Sequence, residues 1–96
     1  MIVLDWDESK RISNLQKHKI DFVDLAEVFE NETATEVDER FDYGEDRLLT
    51  FGLLQAEVVA IVHTETEIGT DVLVRIISAR KADKYEQEHY FKKIRD

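Results

Sequence analysis

The spacing of hydrophobic residues predicts two helices in the first third of the chain. Four apolar residues recur at i, i+3, i+4 and i+7, which is the spacing of one helix face: Phe22, Leu25, Ala26 and Phe29. Asp21 precedes this stripe and is the predicted N-cap of its helix. An earlier helix is predicted from Asp7, as N-cap, to about His18. Its apolar residues Ile12 and Leu15 are expected to face the core.

The remaining hydrophobic residues alternate or form short runs, as they do in strands. Strands are predicted at residues 2–4, 33–37, 47–54, 57–63 and 72–78, with a tight turn at Gln55-Ala56 and a polar loop at residues 64–70. Ser78 is the predicted cap of a last helix from about Ala79 to Ile94. The order β-α-α-β-β-β-β-α predicts an α+β fold in which helices pack on one face of a small antiparallel sheet. We expect a single domain over residues 1–96.

Composition narrows the class of protein. The chain has 96 residues, of which 43% are hydrophobic, and this is enough for one modest core. It has no cysteine, which excludes disulfides and thiolate metal sites and fits a reducing compartment. No apolar run approaches the roughly 18 residues of a membrane span, and the start of the chain is not a signal peptide. We therefore expect a cytoplasmic protein that does not enter a membrane.

Charge is distributed unevenly along the chain. The formal net charge is −9, which by itself argues against a nucleic-acid partner. Residues 21–46, however, hold 11 acids and one base, whereas residues 75–95 hold seven bases and three acids. One end of the molecule is therefore suited to RNA and the other to a basic partner. An acidic protein with one locally basic helix is the alternative interpretation.

Two arginines interrupt predicted strands that are otherwise apolar. Arg75 shares a strand face with Leu73 and Ile77. Arg47 shares a strand face with Leu49. A buried guanidinium without a partner is very costly, so each arginine must pair with a carboxylate or face a cleft. The sequence leaves both interpretations open.

The predicted last helix carries a basic arc. At helical spacing, five cations fall on one broad arc: Arg80, Lys81, Lys84, Lys92 and Arg95. This arc predicts either a phosphate-binding ridge or a solvated helix face. Tyr85, Tyr90 and Phe91 lie nearby and are candidates for stacking on unpaired bases.

The histidines and glycines give no sign of a metal or cofactor site. His18, His63 and His89 are not at metal-ligand spacing with one another, so no metal is expected. His18 closes the first predicted helix, where a cationic side chain favours the helix dipole, and the other two histidines are interpreted as structural. The chain has no glycine-rich phosphate loop, and we expect no cofactor.

Three groups of residues carry a family resemblance over nearly the whole chain. The first group is Asp5-Trp6-Asp7, Lys10, Asn14, Lys17-His18, Phe22, Ala26 and Phe29. The second is Gly44-Glu45-Asp46-Arg47 followed by Gly52, and the third runs from Arg75 to Ala82 and continues with Glu86 and Tyr90. Together they resemble the BrnT family of type II toxins.

The resemblance implies a fold, an activity and a partner. BrnT proteins are similar to RelE-type toxins, with a small antiparallel sheet and helices packed on it, and they are ribonucleases that block translation. Their BrnA antitoxin is a ribbon-helix-helix protein that dimerises, neutralises the toxin and represses the shared operon. The resemblance therefore implies a heterotetramer in which operator DNA is contacted only through the antitoxin.

The resemblance also assigns roles to the candidate residues. A metal-free ribonuclease uses the 2′-hydroxyl of the RNA as nucleophile, so the protein must position the phosphate, stabilise its charge and move protons. The catalytic candidates are Arg47, Arg75 and Arg80 for the phosphate and transition state, and His18 or Glu45 as the acid or base. The RNA-binding candidates are Lys17, Lys81, Lys84 and Tyr85.

Two expectations remain open at this stage. The alternative to an enzyme is a catalytically silent interaction module that acts as corepressor in the toxin–antitoxin complex. In the family a glycine usually follows the Lys-His pair, whereas this chain has Lys19. Lysine at that position must adopt a left-handed conformation at a cost of roughly 1 kcal/mol, or the helix ends differently.

Overall fold

The computed structural model describes residues 1–38 and 46–95. In chain order its elements are β1 (Ile2–Trp6), α1 (Glu8–His18), a 3₁₀ helix (Phe22–Leu25), α2 (Ala26–Glu30), β2 (Ala34–Val37), β3 (Leu48–Leu54), β4 (Glu57–Ile68), β5 (Asp71–Lys81) and α3 (Lys84–Arg95). This confirms the predicted α+β class and element order. The expected N-caps are also present, since Asp7 accepts from the amides of Ser9 and Lys10, and Asp21 from that of Val23.

The five strands form one mixed sheet in the order β1-β5-β4-β3-β2. The prediction of a wholly antiparallel sheet was wrong at one pair, because β1 runs parallel to β5 while the other three pairs are antiparallel. A parallel pair requires a long crossover. Here the crossover is the whole segment between β1 and β5, so the first and last strands become neighbours.

Helices pack on both faces of the sheet, whereas the sequence predicted helices on one face. The α2 face buries side chains of the 3₁₀ helix and α2 against strands β4 and β5: Ile20, Phe22, Leu25, Val28, Val59, Ile61, Val74, Ile76 and Ala79. The α3 face buries Tyr90 of α3 in a second cluster: Leu49, Phe51, Val58, Ala60, Val62, Ala82 and Tyr90. Strand β4 is apolar on both sides, and each side therefore needs its own helix.

The sequence predicted that the apolar residues of helix α1 face the core, and this prediction was wrong. Ile12 and Leu15 are 47% and 38% exposed, and the buried residue of α1 is Asn14. The reason is the position of α1 along an edge of β5, where main-chain groups require polar partners.

The boundary between β5 and α3 also differs from the prediction. Residues 79–81 continue β5, and α3 begins only at Lys84. Asp83 rather than Ser78 caps this helix, since its carboxylate accepts from the Glu86 amide at 2.8 Å. Long-range pairing with β4 up to Lys81 outweighs the local preference of these residues. The basic arc predicted on one helix is therefore divided between a strand and a helix.

The β4–β5 hairpin is longer than predicted. Residues 64–68, predicted as a polar loop, continue β4, and the turn falls at Gly69, which has a positive φ of 61°. The expected tight turn at Gln55-Ala56 is confirmed, with φ values of 50° and 69°. Among the described helices, none is long and apolar enough to cross a membrane.

Lys19 ends α1 in the left-handed conformation, with a φ of 61° and its amide bonded to the Leu15 carbonyl at 3.0 Å. We expect Lys19→Gly to raise the free energy of unfolding by about 0.5–1 kcal/mol, because glycine adopts this conformation without the steric penalty of a Cβ. Urea denaturation followed by circular dichroism measures the change. Lys19→Ala is the matched control, since it shortens the side chain but keeps the Cβ. A glycine variant no more stable than the alanine variant would contradict the argument.

Candidate nucleic-acid interface

Helix α1 covers the part of β5 that β1 leaves open. Strand β1 pairs with β5 only as far as Ile76. Beyond that point the Asn14 side chain replaces a strand partner, because its Oδ1 accepts from the Ala79 amide at 3.0 Å. The Nδ2 of Asn14 donates to the Ile20 carbonyl, also at 3.0 Å, so both ends of this buried amide are used. Asn14 therefore fixes the distance between α1 and β5.

A β-bulge lies where α1 meets β5. The register shifts between Val62 and His63, which pair with Ser78 and Ile76, so Ile77 is the extra residue of β5. A bulge redirects side chains and is common beside functional sites. Both Ile77 and Ser78 are half-buried and line a groove against α1.

The groove between α1 and β5, called here the α1–β5 groove, has a volume of about 260 Å³. Its lining is Lys10, Ser13, Asn14, Lys17 and His18 from α1, with Ile77 and Ser78 from β5. Among the described residues, no carboxylate belongs to this lining, although the chain as a whole carries a charge of −9. Two lysines, a histidine and two hydroxyls are donors suited to a phosphate group.

Arg75 lies two residues before the groove on β5. Its guanidinium forms an ion pair with Asp5, its register partner on β1, and both side chains remain about half exposed. Val74 and Ile76 point into the core on the α2 face, so strand alternation directs Arg75 to the α3 face. This is the face on which Ile77 packs. Arg75 is therefore paired with a carboxylate, and it lies outside the groove lining, two residues from it along β5.

Arg80 lies on the same face of β5 but is tied to α3. Its guanidinium donates to both carboxylate oxygens of Glu86, at 2.7 and 2.9 Å. Glu86 also accepts from the Asp83 amide at 3.0 Å and so belongs to the cap of α3. Arg80 and Arg75 are five residues apart, about 16 Å along a strand. Arg80 therefore joins the end of β5 to α3, beyond the groove.

Arg47 lies at the same end of the sheet as Arg75. Its neighbour Leu48 pairs with His63 of β4. Arg75 pairs with Thr64, the next residue of β4. Two inter-strand spacings therefore separate the two arginines, about 10 Å. Leu49 packs on the α3 face, so alternation along β3 assigns Arg47 to that face too.

Residues 6–86 of the chain match the sequence profile of BrnT_toxin, described as the ribonuclease toxin, BrnT, of a type II toxin-antitoxin system. The chain belongs to the BrnT family. The match covers α1 and β5, the two elements that line the groove. Comparison with curated proteins gives no match.

Other predicted site residues of this BrnT chain lie away from the groove. Lys81 points to the α2 face, where it pairs with Glu57 at 3.3 Å. Lys84 and Tyr85 are exposed in the first turn of α3, and the pocket beside Tyr85 is acidic, with Glu36, Asp83 and Glu86 in its lining. Glu45 lies outside the described residues. The groove lining thus includes Lys17 and His18, Arg75 lies two residues from it along β5, and Lys81, Lys84 and Tyr85 lie elsewhere.

His63 belongs to the core of the BrnT chain. Its side chain is 0% exposed, its Nε2 lies 2.6 Å from the Thr50 hydroxyl, and the Phe29 ring packs edge-on against it. Burial lowers the pKa of His63 to about 4, so it is neutral near pH 7. This agrees with the structural interpretation. In the described part of the chain, no three His, Asp or Glu side chains lie close enough together to hold a metal ion.

Of the seven residues that line the groove, the sequence analysis named only Lys17 and His18 as site candidates. It missed the donors Lys10, Ser13 and Ser78, and also Asn14 and Ile77. Lys10 and Lys17 are seven residues apart and thus lie on one side of α1, two turns from each other, with Ser13 between them. That spacing could have predicted from the sequence that these three side chains share one side of the helix. Ser78 had no such signal, because the bulge that turns it toward α1 depends on the pairing of β4 with β5.

Proposed function

We propose that this BrnT chain is an endoribonuclease toxin that cleaves RNA through the 2′-hydroxyl, without a metal ion, and thereby blocks translation. Membership of the family supports ribonuclease activity in general. The metal-free mechanism is supported by the α1–β5 groove, because the lysines, histidine and hydroxyls of the groove form a cationic site on an acidic protein. Such a site binds a phosphodiester and holds a proton-transferring group beside it.

In the proposed reaction the 2′-oxygen attacks the adjacent phosphorus and the bond from phosphorus to the 5′-oxygen breaks. The products are a 2′,3′-cyclic phosphate and a free 5′-hydroxyl. Lys10 and Lys17 bind the non-bridging phosphate oxygens, and Arg75 exchanges Asp5 for the neighbouring phosphate. These cations stabilise the charge that grows on the phosphorane. Arg47 and Arg80 would contact phosphates farther along the strand.

The reaction removes a proton from the 2′-hydroxyl and delivers a proton to the leaving 5′-oxygen, and we assign one of these two transfers to His18. It is half-buried at the end of α1 and lines the groove beside Lys17 and Ser78. Histidine is the side chain whose ordinary pKa is closest to neutral, which suits general acid–base catalysis. Glu45 is the alternative candidate for this role.

The partner is an antitoxin, as membership of a type II toxin–antitoxin family implies. We further propose that the antitoxin is a ribbon-helix-helix protein, that two copies of each chain form a heterotetramer, and that operator DNA is bound only by the antitoxin. The acidic surface of the toxin suits a basic partner. Since the proposed substrate is RNA in translation, we place the protein in the cytoplasm.

Cleavage of a defined single-stranded RNA by the purified chain in EDTA tests the proposed chemistry. We expect cleavage of the RNA, with 2′,3′-cyclic phosphate ends detected by mass spectrometry, and no cleavage of an analogue that is 2′-deoxy at the cleaved position. The deoxy analogue lacks the nucleophile but keeps every phosphate contact, so it is the matched control. Cleavage of both strands, or cleavage only after a metal is added, would contradict the mechanism.

A silent corepressor is the second candidate function. One observation favours it, namely that Arg75 and Arg80 are both paired with carboxylates of the same chain. If those pairs persist beside RNA, the chain binds its antitoxin but does not cleave. Expression without the antitoxin separates the candidates, because a ribonuclease arrests growth and a corepressor does not.

A further inference from the structure

Strand β1 presents an open edge of the sheet. The Val72 amide donates to the Met1 carbonyl at 2.9 Å. This hydrogen bond determines which alternate residues of β1 bond to β5. Val3 and Asp5 therefore bond to β5. The alternate residues direct their main-chain N–H and C=O groups outward: Ile2, Leu4 and Trp6. In residues 1–38 and 46–95, no other element forms main-chain hydrogen bonds with these outward groups.

An apolar groove of about 290 Å³ runs beside this edge. It is lined by Met1, Ile2 and Leu4 of β1 and by Ala26, Phe29 and Glu30 of α2. Successive side chains of a strand point to opposite faces of a sheet, so every second side chain of a strand added to β1 would enter this groove. The open edge and the groove together form one surface, called here the β1–α2 surface.

The charge around the β1–α2 surface selects its occupant. Residues 21–30, which include the 3₁₀ helix and α2, contain four acids and no base. Glu30 is itself part of the groove lining. A second copy of this chain would bring the same acids to the contact, and like charges in contact disfavour it. A chain with lysine or arginine beside its apolar residues is attracted instead.

We propose that an extended segment of the antitoxin pairs with β1 as a sixth strand. Its alternate apolar side chains fill the groove, and its basic residues lie against Glu30 and the acidic 3₁₀ helix. This mode of recognition takes its binding energy from main-chain hydrogen bonds and its specificity from the groove. The proposal rests on the antitoxin partner of the proposed function and not on RNA cleavage, so the two can fail separately.

Amide hydrogen exchange tests the added strand. The probe is the antitoxin encoded in the same operon, bound to the full chain. In the free chain the amides of Leu4 and Trp6 should exchange quickly, while those of Val3 and Asp5 are protected by β5. In the complex, exchange at Leu4 and Trp6 should slow by at least about tenfold. Unchanged exchange at these two amides would overturn the proposal, and so would protection in the free chain that grows with concentration, which indicates a homodimer.

Two matched variants test the groove. Ala26→Arg fills the groove with a long cation, whereas Val37→Arg makes the same change of charge at an exposed residue of β2, the edge strand opposite β1. We expect the antitoxin Kd to rise at least about tenfold for Ala26→Arg and less than about threefold for Val37→Arg. RNA cleavage without antitoxin should be unchanged in both. Equal effects on Kd, or none, would overturn the proposal, whereas absence of cleavage in the unsubstituted chain would count only against the ribonuclease.

Discussion

His18→Ala is expected to cleave single-stranded RNA about 10²–10⁴-fold more slowly than the unsubstituted chain, because one proton transfer loses its positioned group. His18 is half-buried at the end of α1, so the variant should remain folded. Single-turnover cleavage rates measured across a range of pH provide the readout. We expect the variant's pH–rate profile to lose the limb contributed by the missing acid or base.

His89→Ala is the matched control for this experiment. His89 is a partly exposed histidine on α3, where its ring lies 3.5 Å from Glu36 and outside the α1–β5 groove. Its replacement should leave the rate within about twofold, since surface changes away from a site have little effect. Equal rates and equal pH–rate profiles for the two variants would remove His18 from the mechanism and leave Glu45 as the candidate.

Asn14→Ala is expected to lower the free energy of unfolding by about 2–5 kcal/mol, the largest stability effect in the chain that we foresee. Asn14 is 6% exposed, and its side chain bonds both the Ala79 amide and the Ile20 carbonyl. Alanine would leave these two main-chain groups without their partner, each at a cost of about 1–3 kcal/mol. Chemical denaturation measures the loss.

Ser13→Ala serves as the control for the Asn14 variant. Ser13 is the preceding residue of α1 and is exposed, so its replacement should change stability by less than about 0.5 kcal/mol. A loss below about 1 kcal/mol for Asn14→Ala would show that water or a shifted helix replaces both hydrogen bonds. Because Asn14 also sets the position of α1, its loss should reduce RNA cleavage even at temperatures where the variant remains folded.

The position of Asn14 explains why the α1–β5 groove lies where it does. A helix that bound the sheet through Ile12 and Leu15 would cover a face of the sheet, as the sequence predicted. A helix anchored by an amide lies instead along the strand edge and brings Lys10, Lys17 and His18 beside the bulge. The basic site of this acidic protein therefore depends on one buried polar residue.

The sequence alone determined much of the local structure. Hydrophobic period predicted most of the strands and the helical segment from Phe22 to Phe29, but not the buried face of α1 or the start of α3. The caps at Asp7 and Asp21 were correct because capping involves only residues within one turn. The stripe from Phe22 to Phe29 became a 3₁₀ helix followed by α2, with Val28 rather than Ala26 buried. Motif resemblance identified the family, since the three groups of residues keep their order along the chain.

Only the tertiary structure decided which cations share a site. Arg80 and Lys81 are helical by local preference, but pairing with β4 extends β5 through both and sends their side chains to opposite faces of the sheet. Packing on both faces of β4 likewise moved α3 away from the other helices. The physical reason is the range of the interactions. Caps and periodicity act within a few residues, whereas register, bulges and strand order are set by residues far apart in the sequence.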